Sequence, residues 1–435
     1  MIFFYLLILT MPLSGHPLWQ KVIADITVIK YIGGACLLYA LLHVARRRTV
    51  PRYFESGQSW LFLFFVLIAG VSYVLKTLTF SLQFNPLLSY LSMFLLFFIT
   101  ITVVDTTERL RQTLLAIITA GAWASLYALR EWQKYRDVYA DFRPGSAGGD
   151  SNEFSLSLLF CLPIGFYLIR ESKVTWQRWF AAGCLALTLA ADILAASRGG
   201  FLGLCLACLY MLWHSRRRAR NLVLISLVIL PLLLLMPNAP LRRLMHPQTS
   251  EALSDQAHLD AWKAGLKMIG ADPLTGIGLG NFKPLMPFYR GKNSQIDSVA
   301  HNTFLEVAAE LGLPTLLIFL AILYLSYRTL GRARQRAEIE HLPLLGSVAL
   351  GLQAALVGFL LAGFFMSAEQ VKLLWLTVSL AACFPNLVRA ALEPASAKAV
   401  IPRRLTIFMP RPEPSLEGAA HHPGVRKRLA RWKAN

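Results

Sequence analysis

Apolar segments long enough to cross a membrane recur along most of the chain and are separated by short polar connections. A hydrocarbon core of about 30 Å needs about 20 apolar residues per helix, and a helix satisfies its own backbone hydrogen bonds. The short alternating segments typical of a membrane β-barrel are absent from the sequence. We therefore predict an all-α polytopic membrane protein with about 12 spans, at residues 2–14, 22–44, 59–75, 84–104, 112–129, 154–169, 179–196, 199–213, 222–236, 304–326, 343–364 and 371–388.

The composition excludes a water-soluble protein. Of the 435 residues, 56% are hydrophobic and 15% are charged, and the mean hydropathy is +0.51. All six cysteines fall inside apolar segments, where they pack as small hydrophobic side chains, so no disulfide framework is implied.

The net charge of +19 comes mainly from Lys and Arg clusters between apolar segments. These clusters are topology signals and do not form one basic domain surface, so no nucleic-acid partner is expected. Because they occupy alternate connections, both termini are predicted to be cytoplasmic. The chain then divides into spans one to nine at residues 1–236, an outer loop at 237–300, three further spans at 301–392, and a basic, disordered cytoplasmic tail at 393–435.

The outer loop contains a predicted amphipathic helix. Its apolar face combines Trp262 with Leu259, Leu266 and Ile269, whereas Lys263 and other charged residues point elsewhere. We expect this helix to lie along the membrane surface or to cap the bundle.

A glycine-rich segment follows this helix. Gly276, Gly278 and Gly280 alternate along the chain, so their backbone amides could approach an anionic ligand closely; a tight turn is the alternative. A nucleotide site is not predicted, because the segment lacks the flanking strand of a βαβ unit.

His301 lies just before a predicted helix start. The spacing of Thr303 and Glu306 matches a capping box, so both are predicted to be structural. The positive end of the helix dipole favours neutral imidazole, the form that can accept a proton. The alternative is a histidine that only forms a hydrogen bond at the interface.

Arg198 lies between two apolar runs that leave little room for a loop. A cation near membrane depth needs a partner, either an anionic ligand or a carboxylate such as Asp192. Further cations in the outer loops, Arg290 among them, either reflect loop length alone or form a cavity that binds a diphosphate.

The motifs resemble those of the O-antigen ligase and polymerase superfamily of bacterial membrane glycosyltransferases. The resemblance covers most of the chain and rests on Ser151-Asn152-Glu153-Phe154, Ser197-Arg198-Gly199, Trp262, Pro273-Leu274-Thr275-Gly276-Ile277-Gly278, Asn281-Phe282, His301-Asn302 and Glu310-Leu311-Gly312.

This resemblance implies a GT-C-like transferase in the bacterial inner membrane that needs no metal or other cofactor. It would take a polysaccharide from undecaprenyl diphosphate in the periplasm and place it on lipid A-core, with inversion. His301 would be the base, and Arg198 and Arg290 would bind the diphosphate. The family often has an arginine four positions before the loop tryptophan, where this chain has His258.

His258 or Lys263 would therefore supply the cation of the loop, and Asn302, Gly278 and Gly280 complete the predicted substrate-binding set. The polymerase branch shares these motifs, so an O-antigen polymerase is the first alternative. A transporter of an anionic lipid-linked sugar is the second, because it would use the same cationic cavity.

Overall fold

The computed structural model describes residues 1–13, 28–47, 56–77, 85–138, 142–145, 150–215, 218–219, 222–223, 249–290 and 299–392. These residues form fourteen α-helices and no strand: α1 (Ile2–Thr10), α2 (Val28–Arg47), α3 (Gly57–Ser72), α4 (Asn85–Val103), α5 (Thr107–Tyr135), α6 (Ser151–Glu171), α7 (Thr175–Ala195), α8 (Arg198–Trp213), α9 (Thr249–Ala271), α10 (Phe282–Tyr289), α11 (Thr303–Leu311), α12 (Leu313–Ile339), α13 (Pro343–Ala362) and α14 (Lys372–Leu392).

Nine of the described helices are long and apolar enough to cross a membrane: α2, α3 with its π-helical extension to Thr77, α4, α5, α6, α7, α12, α13 and α14. The apolar helix α8 is shorter, at 16 residues. The prediction of an all-α polytopic membrane protein is confirmed. Helix α1 has nine residues, or about 14 Å, which is too short to cross the hydrocarbon core alone as predicted for residues 2–14.

The prediction of one span at residues 304–326 is wrong in its start. The chain breaks at Gly312, which has φ +86°, and α12 begins at Leu313 with Pro314 in its first turn. A Cβ atom at Gly312 would lie 2.2 Å from the carbonyl oxygen of Leu274, so the break requires glycine. The predicted span at 222–236 lies almost wholly outside the described residues, and the predicted tail at 393–435 lies wholly outside them.

Aromatic stacking and small residues hold the bundle together. Phe62 stacks on Trp375 with ring centroids 4.2 Å apart, and Phe319 packs against the same indole. Helices α8 and α13 approach so closely that a Cβ atom at Gly203 would lie 2.8 Å from the carbonyl oxygen of Gly358. The close contact fixes the start of α8 beside the end of α13.

Antiparallel packing gives the bundle two chemically different ends. At one end, hereafter the site end, α8 and α14 begin and α7 and α13 finish. The opposite end, hereafter the basic end, carries Arg109, Arg111, Arg170, Arg178, Arg328, Arg332, Arg334, Arg336 and Arg389. Toward that end, Gln58 near the start of α3 donates to Ser326 on α12, and Ser347 near the start of α13 donates to Glu171 at the end of α6.

Candidate functional site

The loop between α13 and α14, residues 363–371, is bonded to the start of α11. The backbone N–H of Thr303 donates to the carbonyl oxygens of Gly363 (2.8 Å) and Met366 (2.9 Å). The Thr303 hydroxyl donates to Met366 (2.7 Å) and accepts from the N–H of Ala368 (3.0 Å). Thr303 therefore fixes His301, two residues earlier, beside this loop.

The start of α8 packs against the same loop. A Cβ atom at Gly199 would lie 3.0 Å from Met366 Cε and from Phe365 Cβ. Half-buried Arg198, the first residue of α8, is thus placed beside the loop that also borders His301. Although they are about a hundred positions apart in sequence, the two residues lie at the same end of the bundle.

His301 stacks on His258. The two imidazole rings lie 4.3 Å apart between centroids and are nearly parallel, with an interplanar angle of 7°. His301 adopts φ +47°, a conformation that non-glycine residues rarely take and that often marks functional sites. Burial lowers the pKa of His301 below its usual 6.5, and the nearby carboxylate of Asp150 partly opposes this shift.

Helix α9 packs onto the site end by a face that shares Trp262 and Ile269, but not the two leucines, with the predicted one. Leu259 is 48% exposed and Leu266 is 63% exposed, whereas Ala261, Ala264 and Met268 are fully buried. The reason is distance: the helix lies close to α11, so alanine and glycine occupy the closest part of the contact. Its leucines point outward, as expected for a helix that also faces lipid.

Trp262 and Gly265 on α9 complete this contact. A Cβ atom at Gly265 would lie 2.8 Å from the side chain of Leu305. The Trp262 ring packs edge-on against Phe364 in the 363–371 loop, with centroids 5.4 Å apart. This packing brings His258, one turn before Trp262, onto His301.

A second polar network joins the start of α6 to the turn between α7 and α8. Arg143 donates to the carbonyl oxygen of Ala195 and to Asn152 Oδ1, both at 2.9 Å. Ser197 also donates to Asn152 Oδ1 (2.9 Å) and caps α8 by accepting from Gly200 N–H. Arg143 was not among the predicted site residues, because its sequence context resembles that of any loop cation.

The carboxylate considered as a partner for Arg198 is bound elsewhere. Asp192 is buried and accepts a hydrogen bond from Ser155 at 2.5 Å. Among the described residues, no ion pair joins Asp192 to Arg198. The alternative of a structural pair between them is therefore wrong. Helix α7 ends at Ala195, and the left-handed residue Ala196 turns the chain, so that Arg198 does not continue the helix that carries Asp192.

The glycine-rich segment is a tight turn whose amides bind a carboxylate of the protein itself. Gly276, Gly278 and Gly280 have φ between +68° and +107°. Gly280 N–H donates to Glu310 Oε2 (2.8 Å), and Phe282 N–H donates to Glu310 Oε1 (3.0 Å). Gly278 N–H also donates to the Glu310 carbonyl (3.0 Å), so both amides have partners within the protein, and substrate binding by Gly278 and Gly280 stays a prediction.

Lys76, at the end of the π-helical turn after α3, anchors the same segment. It donates to the Asp272 carboxylate, to Thr275 Oγ1 (2.6 Å) and to the Gly276 carbonyl. The hydrogen bond from Lys76 lowers the pKa of Asp272. Lys76 therefore joins the end of α3 to the glycine-rich segment.

The predicted capping box is also corrected. Asn302 caps α11: its side-chain oxygen accepts from Phe304 N–H and Leu305 N–H, both at 3.0 Å. Thr303 is instead committed to the 363–371 loop, and Glu306 accepts a hydrogen bond from Ser367 in that loop. Asn302 was predicted to bind substrate. Its side-chain oxygen caps the helix, and substrate binding by this residue stays a prediction.

The remaining predicted cations lie on the helices that cover the site end. Lys263 is exposed on α9, and Arg290 is half-buried directly after α10, which ends at Tyr289. Lys267 on α9 donates to the Tyr289 carbonyl (3.1 Å), which ties the two helices together beside Arg290. Residues 291–298, which join Arg290 to the His301 segment, are outside the described residues.

Residues 183–320 match the family model described as O-antigen ligase. This match covers about a third of the chain and supports the resemblance to the O-antigen ligase and polymerase superfamily. The matched segment contains Arg198, His258 and His301, and members of this family are membrane glycosyltransferase-like enzymes that act on lipid-linked polysaccharide. No curated protein matches the chain.

Proposed function

We propose that this protein is an O-antigen ligase, which moves polysaccharide from undecaprenyl diphosphate to a sugar hydroxyl of lipid A-core. The observation that carries the proposal is the meeting, around the 363–371 loop, of the His258–His301 pair and the Arg198 end of α8. A proton acceptor and a cation at one end of the bundle are what transfer from a diphosphate requires.

The proposed reaction is a single inverting displacement. His301 Nδ1 or Nε2 accepts the proton of the acceptor hydroxyl as its oxygen attacks the anomeric carbon. The bond from that carbon to the diphosphate oxygen breaks, and the diphosphate leaves with the electron pair. Arg198, the positive N-terminal end of α8 and Arg290 offset its developing charge, so that the step needs no metal.

His258 has a proposed role that its stacking supports. Two imidazolium rings 4.3 Å apart would repel each other, so the pair favours at most one bound proton. A neutral His301 is therefore easier to maintain before transfer, and His258 holds its ring in position. This role differs from that of the arginine often found at the corresponding position of the family.

The charge distribution supports a periplasmic site. Arginines are concentrated at the basic end, and the positive-inside rule assigns such an end to the cytoplasm. In the inner membrane, the site end then faces the periplasm, where both lipid-linked substrates are presented.

Purified protein in detergent tests the proposal directly. It should join undecaprenyl-diphosphate-linked polysaccharide to lipid A-core with EDTA present and no nucleotide added. Extension of the lipid-linked glycan instead would identify a polymerase. Failure to form any product, combined with movement of the lipid-linked sugar across a vesicle membrane, would identify a transporter.

Single substitutions test the roles. His301→Ala and Arg198→Ala should each lower the transfer rate by at least about a hundredfold, a loss typical of general-base or electrostatic groups. Lys283→Ala is the matched control, because Lys283 is an exposed cation on α10, and should retain nearly the full rate. An active His301→Ala enzyme would disprove the base assignment.

A further inference from the structure

A cavity of about 460 Å³ opens at the basic end, far from the candidate site. It lies between the start of α3 and the last turns of α12 and α14. Three arginines line it, namely Arg332 and Arg336 on α12 and Arg389 on α14, together with apolar side chains such as Leu325 and Val388. The cavity therefore combines a cationic rim with an apolar wall.

The three arginines have no acidic partner in the described part of the chain. None of their side chains forms an ion pair or hydrogen bond with another described residue, and no described carboxylate lines the cavity. Arg334, their neighbour on α12, differs because it pairs with Glu338 (3.7 Å). Three like charges around one cavity repel each other, and an anion between them would remove that repulsion.

The first turn of α3 adds to this potential. Gly57 lines the cavity and is the first residue of a 16-residue helix whose cap is Ser56. The positive end of the helix dipole therefore points to the region that the arginines surround. A glycine there leaves the backbone accessible.

The depth of the arginines matches a lipid head group. At 1.5 Å per residue, Arg332 lies about 28 Å along α12 from its start at Leu313, and Arg389 lies about 26 Å along α14 from Lys372. Both distances are close to the hydrocarbon thickness of about 30 Å. The guanidinium groups therefore lie near the membrane surface, whereas Leu325 lies about 10 Å deeper along α12.

We propose that this cavity binds the phosphate of an anionic phospholipid, with an acyl chain along Leu325 and Val388. Guanidinium groups bind phosphate oxygens through paired hydrogen bonds, and basic pockets between membrane helices recognise anionic head groups. The site is separate from the transferase site and does not depend on which reaction occurs there.

Native mass spectrometry of the full-length protein in detergent tests this proposal. Phosphatidylglycerol and phosphatidylcholine with the same acyl chains are titrated separately, and inorganic phosphate is added as a competitor. The protein should bind phosphatidylglycerol in preference, and the triple variant Arg332→Gln, Arg336→Gln, Arg389→Gln should weaken that binding about tenfold or more.

The control variant Arg170→Gln, Lys173→Gln, Arg178→Gln removes the same charge from the same end but spares the cavity, so its binding should change less than about twofold. A further variant, Thr329→Glu, places a carboxylate in the cavity and should weaken binding while all three arginines remain. Equal binding of both lipids, unchanged binding by the triple or Thr329 variant, or full displacement by millimolar phosphate would each overturn the proposal.

Discussion

Removal of the Glu310 carboxylate should destabilise the glycine-rich turn between α9 and α10. Its two oxygens accept from Gly280 N–H and Phe282 N–H, at 2.8 Å and 3.0 Å, and its side chain is buried. No strand or helix supplies acceptors for these two amides, which lie at the turn and at the first residue of α10. The carboxylate therefore substitutes for secondary structure.

The size of the effect follows from these contacts. Glu310→Ala leaves two amides without an acceptor in a largely buried turn, and each costs about 1–3 kcal/mol, or about 2–6 kcal/mol in total. Glu310→Gln retains one acceptor oxygen but turns an NH₂ group toward the other amide, so about half of that loss is expected.

The free energy of unfolding can be measured by titration with a denaturing detergent in mixed micelles. Glu338→Ala is the matched control: this glutamate is 66% exposed, its Arg334 pair is 3.7 Å long, and its loss should cost less than about 1 kcal/mol. The expected order of stability is wild type, then Gln, then Ala at position 310. If Glu310→Ala costs no more than Glu338→Ala, the carboxylate does not hold the segment.

Three further predictions follow from the site end. Burial lowers the pKa of His301 below 6.5, and the base must be neutral to accept a proton. The transfer rate should therefore stay high at pH 6.5 and fall only under more acidic conditions. A pH–rate profile with its midpoint above 6.5 would contradict this. Asn302→Ala should destabilise α11 by about 1 kcal/mol, as measured by detergent unfolding, whereas Asn302→Asp should preserve the cap. A double-mutant cycle of Lys76→Met and Asp272→Asn should give a coupling of about 1 kcal/mol or less at pH 7, since both groups are partly exposed. Because the pKa of Asp272 is lowered in the folded protein, this stabilisation is complete above its ordinary value of 3.8 and is lost as pH falls through the lowered one. Coupling that increases as pH falls below 3.8 would refute the ion pair.

The sequence was sufficient to identify individual polar residues whose positions, beside apolar segments or a helix start, suggest a chemical role. Arg198 lies between apolar runs and His301 lies before a helix, and each position alone suggested chemistry. It did not predict that His258 would stack on His301, because that contact depends on how closely α9 approaches α11. The packed face of α9 was predicted only in part for the same reason: local hydrophobicity favours leucines, but close approach favours Ala261 and Ala264.

Hydrogen bonds to residues distant in sequence explain where the structure differs from the predicted capping of α11 and how the glycine-rich turn is stabilised. Thr303 has the spacing of a capping residue, yet its hydroxyl is taken by Met366 and Ala368, more than sixty positions later, so Asn302 caps the helix instead. The Glu310 carboxylate, about thirty positions later, likewise accepts from the amides of Gly280 and Phe282.

The apolar periodicity of this chain by itself determined its class, an all-α membrane bundle, since hydrocarbon permits few other arrangements of so apolar a chain. Which polar groups remain available for chemistry was decided only by the tertiary structure. A buried donor or acceptor is stabilised by a partner that folding brings close, and for Glu310 and Thr303 that partner lies many residues away along the chain.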